Sequence, residues 1–207
     1  AMVKLPKKLG ENERVYLSTG FRAAIDRSLR GFYYSTWAHE GQMGRYALTQ
    51  FEPTSARRAY PGWDEPAYKA NFTFRMLHRV NTTALANMPS AYERSVDKEQ
   101  VHQLLQTRSS GLSLHQYNLD EWLLTEFETT PKMATYLVAW ANGAFLHVSN
   151  TTISPLTGRV IPLRMYTTPD LIHQAAFSTE AMAKILPEYE KIFEIAYPLP
   201  KLDALVA

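Results

Sequence analysis

The sequence predicts a mainly β protein: an antiparallel β-sandwich followed by a short α/β segment with one or two helices. Apolar and polar residues alternate over the first two thirds of the chain, with turn-forming residues between the alternating stretches, as in half-buried strands. After Thr168 the apolar residues instead recur at helical spacing. The composition, 45% hydrophobic and 20% charged over 207 residues, is typical of a globular protein with a core.

Four stretches carry the strand predictions. Residues 15–19 alternate up to a turn, and residues 72–77 alternate in the same way. Residues 136–140 form a nearly unbroken apolar run, which predicts a strand buried on both faces. Residues 160–167 predict a further strand, and Pro162 places it near a sheet edge because proline lacks a backbone donor.

The remaining elements follow in chain order. Residues 92–111 are polar and predict a solvated excursion with a turn or two of helix. Residues 168–170, Thr-Pro-Asp, supply an N-cap, a proline at the first helical position and an acid in the first turn. Apolar residues then recur at helical spacing over residues 182–193, where Pro187 predicts either a kink or two helices. Residues 202–206 predict one more strand.

Composition excludes several classes of function. Lys and Arg number 22 against 20 Asp and Glu and are scattered, so we expect no nucleic-acid partner. The absence of cysteine excludes disulfides and thiolate metal sites. No apolar run approaches the roughly 20 residues that span a bilayer, and the first residues lack a signal-peptide pattern, so we expect no membrane partner and a cytoplasmic location.

The most informative stretch of the sequence is TQFEPTSARRAYPGWDEP. Arg57 and Arg58 occupy a short helical or turn segment within it. Asp64 and Glu65 follow in an acidic turn bounded by proline, so local ion pairs between the two segments are expected to hold Glu52 in a fixed place. The alternative is a surface network of charges with little energetic value.

This stretch resembles the TQFEPT-ARR-FPCWDEP motif of the M1 family of zinc aminopeptidases. Other segments resemble landmarks of that family in the same order along the chain: Gly31-Phe32-Tyr33, residues 67–72, Asn87-Met88-Pro89, residues 130–139 and residues 197–203. Two positions depart from the family pattern, since Gly62 stands where cysteine is usual and Tyr34 where arginine is frequent.

The resemblance implies a fold, a division into domains and a cofactor. Residues 1–158 would form the later part of a saddle-like, β-rich N-terminal domain, and residues 159–207 would begin a thermolysin-like catalytic domain. Zinc would belong to the full-length enzyme, whose H-E-x-x-H and G-x-M-E-N motifs supply the metal site and part of the substrate site.

The resemblance also assigns roles to individual residues. Glu52 would bind the α-ammonium group of a peptide N-terminus, and Gln50 would border the pocket for the first side chain. Structural support by Arg57, Arg58, Asp64 and Glu65 is expected from their spacing and charge rather than from the resemblance. A carboxylate suits an ammonium ion because charge-assisted hydrogen bonds contribute roughly 1.5 to 3 kcal/mol each.

The sequence contains neither catalytic motif of the family. The six histidines include no pair four residues apart, and in His39-Glu40-Gly41-Gln42-Met43 a methionine stands where the second ligand would be. We interpret this His-Glu pair as an ordinary loop. We therefore assign no catalytic or metal-ligating residue and no cofactor to the chain itself, and expect it to be inactive as a peptidase alone.

Three hypotheses for function remain open. The chain is the N-terminus-recognising part of an M1 aminopeptidase, with peptide N-termini and the rest of the enzyme as partners. Alternatively, it is a naturally truncated homologue that acts as a binding or assembly module, because an exposed β edge can recruit a partner strand or another copy. A third hypothesis is new small-molecule chemistry around Glu52 and neighbouring tyrosines.

Overall fold

The computed structural model describes residues 8–106 and 122–206, and in these residues it is mainly β. This confirms the predicted fold class. The strands are β1 (Gly31–His39), β2 (Gln42–Gln50), β3 (Arg75–Arg79), β4 (Thr83–Ala86), β5 (Ser90–Val96), β6 (Trp122–Phe127), β7 (Trp140–Gly143), β8 (Leu146–Ile153), β9 (Val160–Thr167) and β10 (Leu202–Leu205), and the helices are α1 (Lys98–Gln106) and α2 (Ala175–Phe193).

The strands form three sheets. One has the order β1-β2-β7-β4, the second β3-β6-β5 and the third β10-β9-β8. The pairing is antiparallel except between β9 and β10, which run parallel because α2 connects them. Helix α2 packs on β8 and β9, where Thr152 Oγ1 donates a hydrogen bond to the carbonyl of Ala183 at 2.8 Å.

A two-residue turn joins β1 to β2. Glu40 and Gly41 both have positive φ, 47° and 77°, the geometry of the tight turns that match the twist of a hairpin. The His39-Glu40 pair thus lies in a hairpin turn, as the loop interpretation predicts. Its two side chains are 3.8 Å apart on an exposed surface.

The third sheet spans the domain boundary inferred from the sequence. That boundary, between residues 158 and 159, falls in the turn that joins β8 to β9. The two strands pair over eight residues, from Ile153 opposite Val160 to Leu146 opposite Thr167. The division into domains stays a prediction.

Two strand predictions are wrong. Residues 15–19 form no strand, and Val15 and Leu17 are more than half exposed, so alternation alone is insufficient where no neighbouring strand or core covers the apolar face. Residues 135–137 form a 3-10 helix rather than a strand, and strand pairing begins only at Trp140. The apolar run instead inserts Val138 into a core cluster.

Three other elements differ in detail from the predictions. Pro162 lies in the central strand of its sheet, which is tolerated because pairing with β10 begins one residue later at Leu163. Within the polar excursion predicted over residues 92–111, residues 92–96 belong to β5 and the expected helix is α1. Residues 107–111 lie outside the described part of the chain. Helix α2 continues through Pro187 as one helix.

An aromatic cluster connects the first two sheets. The ring of Trp140 stacks on Phe74 with centroids 4.8 Å apart and meets Phe51 edge-on at 5.1 Å. Phe32 approaches the same indole at 5.6 Å and Tyr60 at 6.0 Å. This cluster packs under the end of β2 and fixes the residues that follow it.

Within residues 8–106 and 122–206, neither helix has the length and apolar character needed to cross a bilayer.

Candidate functional site

The end of β2 positions Gln50 and Glu52 on either side of a buried anchor. Tyr46 and Leu48 are buried on one face of the strand, and Gln50 continues that face at its open end. Phe51, on the other face, is only 2% exposed and packs with Ala56, Ala59 and Val138 among others. Glu52 follows at the surface, at the start of a turn.

The turn after Glu52 is closed by the backbone. The N–H of Ser55 donates to the carbonyl of Phe51 at 2.7 Å, and a 3-10 helix over Ala56–Arg58 follows. The Glu52–Pro53 peptide bond is cis. With Phe51 buried at one end and Ala56 1% exposed at the other, the backbone that carries Glu52 is held at both ends.

Asp64 is the most heavily hydrogen-bonded acid of the motif. It accepts from the backbone N–H and the Nε of Arg57, both at 3.0 Å from Oδ2, and from Thr135 Oγ1 at 2.5 Å from Oδ1. Burial alone would raise the pKa of Asp64, but these hydrogen bonds and the Arg57 charge outweigh it, so the pKa lies below its usual value. Asp64 thus ties residues 57–64 to the segment around Thr135.

The two arginines have different partners. Arg57 pairs with Asp64 and reaches Glu65 at 3.5 Å, as the sequence predicts. Arg58 does not pair with either acid; it lies 3.9 Å from Asp26 instead. The reason is geometric, because successive residues of a 3-10 helix point about 120° apart and cannot face the same carboxylates.

Glu52 differs from the other acids of the motif. Asp64 is buried and Glu65 contacts Arg57, whereas the Glu52 side chain is exposed and makes no hydrogen bond or ion pair with any residue in 8–106 or 122–206. The structure brings Gln50 and Glu52 to the same end of β2, and their substrate-binding roles stay predictions.

Gln50 lines a groove of about 440 Å³ between the first sheet and residues 197–205. Leu48, Leu85 and Trp140 contribute apolar surface to it. Tyr197 lies on the opposite side; burial raises its pKa to about 12, so the phenol remains protonated, and it donates a hydrogen bond to the carbonyl of Lys201 at 3.0 Å. Glu52 is not among the residues that line this groove.

Sequence reasoning missed a buried group of charges beside the groove. Lys201 is only 6% exposed and forms an ion pair with Asp203, which Arg164 also approaches at 3.3 Å. Burial lowers the pKa of Lys201, although the Asp203 charge opposes the change. The spacing of Lys201 and Asp203 could have revealed this group. Residues two apart in an extended segment lie on the same face, and two charges on one face of an otherwise apolar segment indicate a polar face.

The described residues contain no group suited to zinc. No three histidine or acidic side chains in residues 8–106 and 122–206 lie close enough together to hold a metal ion. His78, which is buried, instead contacts Thr125 Oγ1 at 2.8 Å and the Arg79 carbonyl at 3.0 Å. In this described part of the chain, the residues do not fit the metal that the sequence resemblance implies for the full-length enzyme, and we assign no step to it.

Comparison with known proteins gives consistent matches. Residues 1–137 match the family model of the Peptidase M1 N-terminal domain. The chain is 36% identical over 200 residues to endoplasmic reticulum aminopeptidase 2 of Bos taurus, covering 96% of this chain and 18% of that protein. It is 32% identical over 206 residues to the thyrotropin-releasing hormone-degrading ectoenzyme of Rattus norvegicus, covering 99% and 17%.

A third relative has a similar relation to the chain. Glutamyl aminopeptidase of Bos taurus is 32% identical over 190 residues, which covers 92% of this chain and 17% of that protein. The chain thus spans less than a fifth of the length of these relatives.

Proposed function

The chain belongs to the M1 peptidase family and carries its N-terminal domain, and we propose that it recognises the free N-terminus of peptides as part of a zinc aminopeptidase. In this proposal Glu52 binds the α-ammonium group, and Gln50 borders the pocket for the first side chain. The removal of N-terminal residues would be the activity of the longer enzyme.

The availability of Glu52 carries the proposal. Its carboxylate is exposed and unpaired among the described residues, while the backbone beneath it is fixed by the burial of Phe51. A fixed, unpaired carboxylate is suited to an ammonium ion, which offers three donors. An acetylated N-terminus offers no such charge, so this contact would distinguish the end of a peptide from its interior.

The groove beside Gln50 supports the second part of the proposal. Its volume of about 440 Å³ and its apolar lining are typical of a small-ligand site. Leu48 and Leu85 supply surface for an apolar side chain, and Gln50 supplies an amide at the rim that can donate and accept. We propose that this groove contributes to the first side-chain pocket.

Replacing Glu52 with glutamine is expected to remove the preference for a free N-terminus. Two tripeptide amides, one with a free N-terminus and one acetylated, are titrated into the chain and followed by NMR chemical shifts. The unmodified chain should bind the peptide with a free N-terminus about 10- to 150-fold more tightly than the acetylated peptide, the equivalent of roughly 1.5 to 3 kcal/mol. In Glu52→Gln the two affinities should be similar. Glu188→Gln, an exposed acid paired only with Lys191, is the matched control. Equal affinity of the two peptides for the unmodified chain would refute the role of Glu52.

We also predict that the chain alone does not hydrolyse peptides. The 207 residues contain no H-E-x-x-H motif, and a single carboxylate can bind an amine without activating water. The test is an assay with aminoacyl-arylamides in the presence of zinc. Turnover that a chelator abolishes would contradict this prediction.

A binding or assembly module is the second candidate function, and the position of β1 favours it. This nine-residue strand lies at the edge of its sheet, and beyond β2 its pairing in the described residues is one bridge between Tyr33 and Asp26. An edge of this kind can add a strand from a partner or a second copy. Light scattering that shows a stable monomer at high concentration would count against self-association.

A cytoplasmic location remains a separate proposal, to be tested by imaging the tagged protein.

A further inference from the structure

A polar cavity lies where the three sheets meet. This junction cavity has a volume of about 420 Å³ and is bounded by β5 and β6 on one side, by β9 and β10 on the other, and by β4. The volume lies within the range of roughly 300 to 1,000 Å³ found for small-molecule sites. We propose that the junction cavity binds a small zwitterion of the α-amino acid class, with its carboxylate towards Lys201 and Arg164 and its ammonium group towards Glu93.

One wall of the cavity carries two cations around a single acid. Lys201 Nζ donates to the Ala86 carbonyl at 2.8 Å and to the Asp203 carboxylate, which leaves one of its three N–H groups for a ligand. Arg164 faces Asp203 through Nε and donates to the Tyr166 hydroxyl through Nη1, which leaves the Nη2 donors. The excess of positive charge on this wall suits a carboxylate.

The opposite wall carries an acid with a fixed geometry. Thr125 Oγ1 donates to Glu93 Oε2 at 2.6 Å, and the buried His78 holds Thr125 through Nε2 at 2.8 Å. These bonds orient the Glu93 carboxylate and leave its Oε1 without a hydrogen bond among the described residues. On the first wall, Asp203 Oδ1 is buried and accepts no hydrogen bond, and Arg164 Nε lies 3.3 Å from it. The ammonium group of a ligand would donate to Glu93 Oε1.

The arrangement of charge decides between classes of ligand. A simple anion would match Lys201 and Arg164 but face Glu93, and a simple cation would match Glu93 but face the two basic groups. A zwitterion matches both walls and avoids an unpaired charge in a partly enclosed space. Met88, Leu123 and Phe127 add apolar surface between the walls, which favours an amino acid with an apolar side chain.

The junction cavity is separate from the site proposed around Glu52, which is not among its lining residues. The two sites can therefore be distinguished by their ligands. A tripeptide amide with a free N-terminus lacks the carboxylate that the cavity requires. A free amino acid carries both charges; because its ammonium group also suits Glu52, binding in the junction cavity is identified by shifts at β5, β6 and β10 that require the carboxylate.

The experiment titrates the chain with L-leucine, leucinamide and N-acetyl-leucine and follows chemical shifts. L-Leucine should bind and shift residues of β5, β6 and β10, and each of the two analogues should affect these residues with at least tenfold lower affinity. If leucinamide or N-acetyl-leucine shifts the residues of β5, β6 and β10 with the same affinity as L-leucine, the proposal is overturned. It is also overturned if L-leucine causes no shifts at tens of millimolar.

Variants locate the binding. Glu93→Gln and Arg164→Gln should each weaken L-leucine binding at least tenfold; both side chains are partly exposed, so the fold should tolerate the changes. Glu188→Gln, which changes an exposed acid outside the cavity, should leave it unchanged. Unchanged L-leucine shifts at β5, β6 and β10 in both Glu93→Gln and Arg164→Gln would show that the ligand does not occupy the junction cavity.

Discussion

Replacing Trp140 with alanine is expected to lower the free energy of unfolding by about 3 kcal/mol, the lower end of the usual cost of deleting a large aromatic side chain, because Trp140 is partly buried. Trp140 is the centre of the aromatic cluster and contacts Phe74, Phe51, Phe32 and Tyr60 within 6.0 Å between centroids. No single neighbour can fill the space that its indole would leave. Urea denaturation followed by circular dichroism measures the effect.

Trp63 provides a matched control for this substitution. Its indole is 69% exposed, so Trp63→Ala should change the free energy of unfolding by less than about 0.5 kcal/mol. Both variants remove the same side chain, and only its packing differs. A Trp140→Ala protein as stable as Trp63→Ala would show that the cluster is not a core.

The cluster also links stability to the proposed binding site. Phe51 packs against Trp140 and holds the backbone between Gln50 and Glu52. Loosening of Phe51 would allow the Glu52 carboxylate to sample more positions, and the binding of an ammonium ion would then carry an entropic cost. Where Trp140→Ala remains folded, we expect its preference for a free N-terminus to decrease.

The sequence predicted the elements whose signals are local. The helix start at residues 168–170, where a 3-10 helix over Pro169–Gln174 begins, and the strands β9 and β10 all depend on short-range pattern and turn chemistry. The Arg57–Asp64 ion pair was predictable for the same reason, because the two residues are only seven positions apart.

Other features depend on partners that are distant in sequence. Thr135 donates to Asp64 across 71 positions, and Lys201 reaches the Ala86 carbonyl across 115. No local pattern reports such contacts. The exposure of residues 15–19 was missed for the same reason, since an alternating segment becomes a strand only when another strand pairs with it.

Replacing Asp64 with alanine is expected to lower the free energy of unfolding by about 2 to 4 kcal/mol. Hydrogen bonds to a charged acceptor contribute roughly 1.5 to 3 kcal/mol each, and the buried groups that donate to Asp64 would lose their partner. Thr135 Oγ1 and the backbone N–H of Arg57 would both lose their acceptor. The half-exposed Arg57 side chain can turn towards water, which limits the loss. Glu65→Ala is the control; Glu65 is exposed and 3.5 Å from Arg57, so its removal should cost less than about 0.5 kcal/mol.

The pH dependence of the Asp64→Asn variant separates the charge of Asp64 from its packing. The folded state lowers the pKa of Asp64 below its ordinary value of 3.8, so the ionised carboxylate stabilises the fold above that pH. This contribution is lost as the pH falls through the folded-state pKa, where a protonated aspartate resembles asparagine. The gap in unfolding free energy between the unmodified chain and Asp64→Asn should therefore be largest near neutral pH and narrow below about pH 4. A gap that stays constant between pH 7 and the acid transition would mean that Asp64 acts through shape alone, and that the Arg57–Asp64 pair contributes no charge stabilisation to the segment that follows Glu52.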